Sequence, residues 1–226
     1  MTLDHVAWAL FPGFSENALS LLAHTIGRIS CPIFCYFVAE GFHRTRDVGK
    51  YAARIFAFAL LSHFAYVFAS DDFAGAASFL PFFRGRILNQ TSVFWSLAWG
   101  LTMLRVNASE RYNDGQKTFL IGFCAVMSLI GDWNCVAAFA VFLFGTRRKD
   151  DKGEALAALP VFLCSAVFVF FASPLYGVIQ LGTAFSVPLL WCYNGERGGA
   201  SRGNALSRRG FYLYYPLHLF LIGLLL

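Results

Sequence analysis

Long apolar runs, broken by short polar punctuation, dominate the pattern of this chain. Nine are read, at about 3–12, 17–42, 51–70, 88–106, 117–131, 133–146, 155–173, 175–193 and 210–226. About 20 apolar residues suffice to cross a bilayer as a helix rising ~1.5 Å per residue. The pattern therefore predicts an all-α fold, a polytopic integral membrane bundle of about 8–9 transmembrane helices forming one domain over 1–226. The runs 117–131 and 133–146 are short and meet at Gly131-Asp132-Trp133, which reads as a tilted hairpin or a re-entrant pair. Pro174 divides the seventh run from the eighth just as abruptly. The first run is half the length a bilayer needs, so it is either a partial span or the remnant of a start upstream of Met1. Residues 194–204, rich in glycine, read as a flexible linker.

Composition sharpens the class. Hydrophobic residues make up 58% of the 226 and charged residues only 14%, with a mean hydropathy of +0.57. A soluble domain carries about 25% charge. The net charge of +5 would hint at nucleic acid elsewhere; here the placement of the cations matters more than their sum. Every Lys and Arg except Arg28, Arg84 and Arg86 falls in or beside four alternate loops: 43–50, 105–117, 146–154 and 194–209. By the positive-inside rule those loops are cytoplasmic, which puts the N-terminus inside and the C-terminus outside. No cleavable signal peptide is visible at the N-terminus. Six scattered cysteines read as small buried hydrophobes, with neither a disulfide framework nor a metal site expected.

A few ionisable residues sit where lipid or helix should be. The second run holds Arg28 at its middle and Glu40 near its end. An Arg at bilayer depth costs roughly 2.5–3.5 kcal/mol on insertion scales, so such residues usually face a bundle interior and act there. Asp4 and His5 lie ~10–12 Å from the turn at Pro12, and Arg28 ~16 Å from the same side, so an Asp4–Arg28 pair is within geometric reach. That pair could serve only to set helix register. His218 in the last run has Tyr215 three residues earlier on its face and Pro216 between them. An imidazole there is either a hydrogen-bonded core residue or a proton-transfer group. Glu40 reads as a boundary residue or a partner for Arg44 and Arg46, and Asp132 as a solvated turn residue or a site residue. His24, one turn before Arg28, and His63 carry little weight.

The stretches LDHVAWALFP, GRISCPIFCYFVAEGFHRTRD, SVFWSLAWGL, GDWNCVAAFAVFLFG and FYLYYPLHLFLIG occur here in that order. Their order and spacing resemble the TraX family, membrane proteins that acetylate conjugative pilin at its N-terminus, to which TrbP is related. The resemblance covers nearly the whole chain. It implies membership of the wider transmembrane acyltransferases, with acetyl-CoA as acyl donor and no metal. It also implies a bacterial inner-membrane location, lipids and a pilin-like acceptor as partners, and no nucleic acid. Carried over by position, it points to Asp4, His5, Arg28, Pro32, Glu40, Gly41, Tyr215 and His218. Two features depart from the family pattern. Relatives carry more apolar sequence before the Asp-His pair, and Ser92 and Ser96 stand where many have Asn and Thr.

Acyl transfer needs a base, a stabilised oxyanion and exclusion of water. The expected assignment makes Asp4, His5, Arg28 and His218 catalytic. Either histidine would serve as base, Asp4 would orient its neighbours, and Arg28 would face the oxyanion or Asp4. Glu40 and Tyr215 are expected to contact substrate. Arg44, Arg46, Arg208 and Arg209 are expected to hold the phosphates of acetyl-CoA, beneath a chamber opening on the cytoplasmic side. The competing readings are a small-solute transporter lined by the same residues and a non-catalytic assembly factor.

Overall fold

A computed structural model describes residues 1–11, 17–70, 73–80, 88–147, 153–195 and 205–225, with side chains at all of these except 154, 205–209, 211 and 212. Its helices are α1 (Thr2–Leu10), α2 (Ala18–Arg28), α3 (Ser30–Arg44), α4 (Val48–Phe68), α5 (Val93–Asn107) and α6 (Asp114–Ser128). They continue as α7 (Asn134–Thr146), α8 (Leu159–Ala172), α9 (Pro174–Gln180), α10 (Ser186–Trp191) and α11 (Ala205–Leu225). Extended pairing among the described residues is limited to one isolated bridge, Thr91 to Gly131. The all-α expectation holds.

The run read as a single segment over 17–42 is two helices, broken at Ile29. The cause is local. A proline ring clashes with the carbonyl four residues before it and has no N–H to donate, and Pro32 stands four residues after Arg28. The α2 ladder therefore stops at Arg28, and the Ser30 hydroxyl donates to the freed Gly27 carbonyl at 2.7 Å. Arg28 is thereby placed on the last turn of α2, where the helix dipole favours a cation. Asn17 opens α2 by accepting from the Leu19 N–H, and Asp47 opens α4 by accepting from the Lys50 N–H at 2.9 Å. These donors, led by the Lys50 backbone, hold the exposed Asp47 carboxyl below its ordinary range.

Two helical stretches, Ala18–Arg44 taken through its break and Val48–Phe68, are long and apolar enough to cross a membrane. Asn134–Thr146, Leu159–Ala172 and Leu213–Leu225 are apolar but shorter. The eighth run does not form one rod: it divides into α9, a 3₁₀ turn over Leu181–Phe185, and α10. Pro174 starts the first piece at its N-terminal turn, the position a proline tolerates. The short runs over 117–131 and 133–146 form two helices, α6 and α7, joined through the Gly131-Asp132-Trp133 turn. Most of the 194–204 linker and the turn at Pro12 lie outside the described residues.

The bundle has two chemically different ends. At one, the His43 Nε2–H donates to the Gly145 carbonyl at 2.9 Å, Arg44 donates to the Gly195 carbonyl, and Gly49 lies against Arg105. This end carries the basic loops. At the other, the Tyr66 hydroxyl donates to the Asn89 carbonyl at 3.4 Å, Thr91 bridges Gly131, and Gly223 of α11 packs on Phe68 of α4. The hydrophobic core runs between them, with Cys35, Ile55, Leu97, Ala98, Leu101 and Val141 each at most 1% exposed.

α1 crosses α2 at the non-basic end, and the closeness of that crossing rests on Gly27. A Cβ there would overlap the Cβ of Asp4. Gly27→Ala is expected to destabilise the fold by about 1–3 kcal/mol, the usual cost of an overpacked contact. Unfolding of detergent-solubilised protein measures it, and an unchanged midpoint would mean that α1 does not dock on α2 as described.

Candidate active site

α1, α2 and α11 bring four of the expected residues together, but on two different scales of intimacy. Asp4, on α1, accepts from the His24 Nδ1–H at 2.6 Å with one carboxylate oxygen, while its other oxygen faces Arg28 Nη1 at 3.6 Å. His24 and Arg28 share a face because they are one turn apart on α2, and they are 0% and 4% exposed. Two cationic or donor groups therefore clamp one buried carboxylate. Trp133 and Tyr176 lie 5.3 and 5.1 Å from the guanidinium carbon, within cation–π range. Tyr176 also interacts with the guanidinium through its side-chain hydroxyl.

The second group is a pair of histidines. His5 Nδ1 and His218 Nε2 are 2.9 Å apart, and the His218 Nδ1–H donates to the Tyr214 carbonyl at 2.9 Å. Tyr215 stands edge-on to both rings, 6.1 and 5.3 Å between centroids, and to Phe94 at 5.0 Å. The first helix is tied to the last a second time, where the hydroxyls of Thr2 and Tyr214 meet at 2.8 Å.

Both groups border one cavity of about 300 Å³, walled by Asp4, His5, Trp8, Arg28, Asp132 and Tyr176, with Tyr66, Ser70, Asn89 and the Leu219 and Ile222 side chains completing it. That is the low end of ligand-site volumes. It has room for a small group but not for a nucleotide-sized molecule. His218 does not reach this wall; it stands behind His5. A second recess of about 20 Å³, lined by Asp4, His5, Cys31, Trp133 and Tyr215, is the size of a single water.

The cavity lies at the end opposite the basic loops. Beyond α1 and α2 its lining comes from the C-terminal ends of α4 and α11, from Asn89, from Asp132 and from Tyr176 of α9. Arg44 and Arg46, beside which the chamber was expected to open, are not among its lining residues. The reason is the length of α3. Glu40 lies twelve residues beyond Arg28, ~18 Å along the axis, and engages Arg44 at 2.6 Å instead of the cavity. Arg46 is exposed near the same end, and the side chains of Arg208 and Arg209 lie outside the described residues. Tyr215 lines the small recess, not the main cavity.

Several residues of the site were missed or undervalued in the sequence. His24 is the nearest partner of Asp4, and its spacing from Arg28 was the available signal. Asp132 is not a solvated turn residue but part of the cavity wall. The turn that carries it is fastened to the start of α5: Gln90 and Thr91 donate to the Ile130 carbonyl, Asp132 N–H donates to the Thr91 carbonyl at 2.7 Å, and the Ser96 hydroxyl lies 3.2–3.3 Å from the carbonyls of Ser128 and Asp132. A Cβ on Gly131 would overlap the Ser96 hydroxyl, so glycine is required there for the turn to dock. Trp133 and Asn134 follow at positive φ, 65° and 46°, a conformation disfavoured in bulky residues and maintained only where the surroundings over-determine it. The result aims Trp133 at Arg28. Tyr176 had no sequence signal beyond following Pro174. Among the described residues no group of three or more His, Cys, Asp or Glu is arranged to hold a metal.

This combination defines an all-helical protein whose buried ionisable residues line a small chamber between its first, second and last helices. The family model described as "TraX protein" matches residues 1–226, so the chain belongs to the TraX family. It is similar to the "Probable fimbrial assembly protein FimC, serogroup H1" of Dichelobacter nodosus, at 28% identity, with 98% of this chain and 89% of the relative covered. No solved structure matches.

If Asp4 and Arg28 stabilise one another as placed, removing either leaves an uncompensated buried charge. Asp4→Asn and Arg28→Gln are each expected to cost about 3–5 kcal/mol. The double variant should cost less than the sum of the two. Denaturant titration of the three variants gives the coupling, and strict additivity would show that the two groups do not interact.

Proposed function

We propose that this protein is a membrane-embedded acyltransferase that moves an acetyl group from acetyl-CoA to an acceptor amine, the N-terminus of a pilin subunit. The reading makes it a multi-pass protein of the bacterial inner membrane, N-terminus inside and C-terminus outside, with the shorter apolar helices serving as tilted or partial spans. Membership of the TraX family and likeness to a relative named for fimbrial assembly support the pilin-related role. The observation that carries the chemistry is the meeting, around one cavity, of the His5 imidazole and the buried Arg28 guanidinium.

In the proposed reaction the acceptor nitrogen attacks the thioester carbonyl and loses its proton to a histidine. The carbonyl oxygen gains negative charge beside the Arg28 guanidinium, whose positive charge stabilises it. The intermediate collapses with the thiolate leaving, and the histidine returns the proton to that sulfur. A positioned base contributes about 10²–10⁴-fold and an oxyanion donor about 10²–10³-fold. Aromatic walls, Trp8, Tyr66 and Tyr176, exclude water that would otherwise hydrolyse the thioester. Asp4, held by His24 and Arg28, fixes the guanidinium in place. The donor's phosphates are assigned to the basic end, at Arg44, Arg46, Arg208 and Arg209, with the pantetheine arm extended toward Arg28. The acceptor is then met from the opposite, non-cytoplasmic end, where the cavity has its rim. Glu40 in this scheme orders Arg44 for the donor. Tyr215 orders the histidines beside the acceptor.

Purified protein incubated with labelled acetyl-CoA and a peptide copying a pilin N-terminus is expected to leave label on the peptide's α-amine. Arg28→Gln should lower kcat about 10²–10³-fold. Gly131→Ala, which displaces the turn carrying Asp132 and Trp133, should lower it in the same direction. Binding of acetyl-CoA with no transfer to any amine or hydroxyl would favour a transport role and overturn the assignment.

A further inference from the structure

Two histidines touch in this site, and hydrogen-bond chemistry alone determines which nitrogen of each carries a proton. The Tyr214 carbonyl only accepts, so His218 Nδ1, 2.9 Å away, must be the protonated nitrogen. A neutral His218 then has a bare Nε2, and a bare nitrogen accepts. It is 2.9 Å from His5 Nδ1, so His5 carries its own hydrogen on Nδ1. The ring geometry agrees. The two imidazoles are parallel to within 2°, with centroids 5.1 Å apart. That separation is the N···N distance plus the two ring radii, so the rings lie side by side in one plane, and the hydrogen bond points along the lone pair instead of across stacked faces. A charged His218 would break this chain by donating from both nitrogens. It is 5% exposed, and no carboxylate contacts it among the described residues, so the charge would be buried without a partner.

The consequence falls on the third nitrogen. With its hydrogen on Nδ1, His5 keeps a lone pair on Nε2, and the ring's hydrogen bond among the described residues is the one at Nδ1. His5 lines the cavity with Arg28 and Asp132, and His218 does not. We propose that Nε2 of His5 is the proton acceptor of the site, and that His218, oriented by the Tyr214 carbonyl, is a positioning residue that holds His5 in the tautomer able to accept. This inference rests on the acyl-transfer reading and resolves which histidine is the base. The proton taken from the attacking amine resides on His5 Nε2. The Nδ1–H bond to His218 stays intact throughout, and the same proton passes to the departing sulfur. Asp4, one residue earlier on the same wall, places a carboxylate near the transient imidazolium. His218 therefore never exchanges a proton with substrate.

The experiment combines a spectroscopic and a kinetic readout on the full-length protein in nanodiscs. Histidine-selective ¹⁵N labelling, with the His5 signals identified by their loss in His5→Gln, reports the tautomer. The wild type is expected to show His5 protonated at Nδ1 and bare at Nε2. His218→Leu, which removes the acceptor, should return His5 to a mixture dominated by the Nε2–H form. With labelled acetyl-CoA and the pilin-type peptide, the same variant should lose about 10²–10⁴-fold in kcat while KM for acetyl-CoA stays within about twofold. His218→Gln, whose amide oxygen can accept at the old Nε2 position, should recover the Nδ1–H tautomer and a large part of kcat. A wild-type His5 protonated at Nε2, or a His218→Leu variant with unchanged kcat, overturns the proposal. If the wild type transfers acetyl to nothing yet His5 carries its proton on Nδ1, the acyl-transfer reading falls and the tautomer assignment stands.

Discussion

A guanidinium held out of water needs a partner fixed in place, and the packing of the first two helices follows from that need. Arg28 is buried at the end of α2, and the carboxylate that answers it comes from α1. An unpaired charge at that depth would cost more than a short helix of nine residues could recover by apolar contact. The α1–α2 crossing is accordingly as close as two backbones allow. Gly27 gives Asp4 the room, and His24 takes its second oxygen. Pro32, four residues on, ends the helix so that Arg28 lies on its terminal turn. Three residue types that look unrelated in the chain, a glycine, an arginine and a proline, thus serve one contact.

The same contact explains the division of labour across the cavity. Asp4 engages Nη1, and Trp133 and Tyr176 flank the guanidinium on its remaining sides. His5 lines the same cavity, with His218 behind it. A guanidinium and an imidazole thus share one small volume, and Asp4, the neighbour of His5 on α1, is the carboxylate that answers the cation. α11 closes the arrangement from the far end of the chain through two polar links to α1, at His5 and at Thr2.

The location of the cavity bears on how donor and acceptor can meet. The cations and the Glu40–Arg44 pair gather at one end of the bundle, and the cavity rim at the other. A helix the length of α3 separates them. In the proposed acyl-transfer reading this polarity would suit a donor with a charged head and a long neutral arm, its head with the cations and its acyl end at Arg28. An acceptor arriving from the opposite side would then not cross the layer of cations.

Much of this was legible in the chain. Apolar runs with few charges determined an all-helical fold, and costly ionisable residues at comparable depth pointed to Asp4, His5, Arg28 and His218 as a group, because side chains that lipid rejects must find one another. Local chemistry was legible too: Pro32 ends α2, and Asn17 and Asp47 begin helices. Tertiary structure alone decided the rest. His24 rather than His5 became the partner of Asp4, since one-turn spacing fixes a face but not what that face meets. Asp132 joined the wall because backbone hydrogen bonds from Thr91 and the Ser96 hydroxyl fold its turn inward, and such pairing between distant segments leaves no periodic trace. Which end the cavity opens toward, and which histidine stands in front, depended on the relative heights of three helices, and helix height is set by packing that no single stretch of sequence encodes.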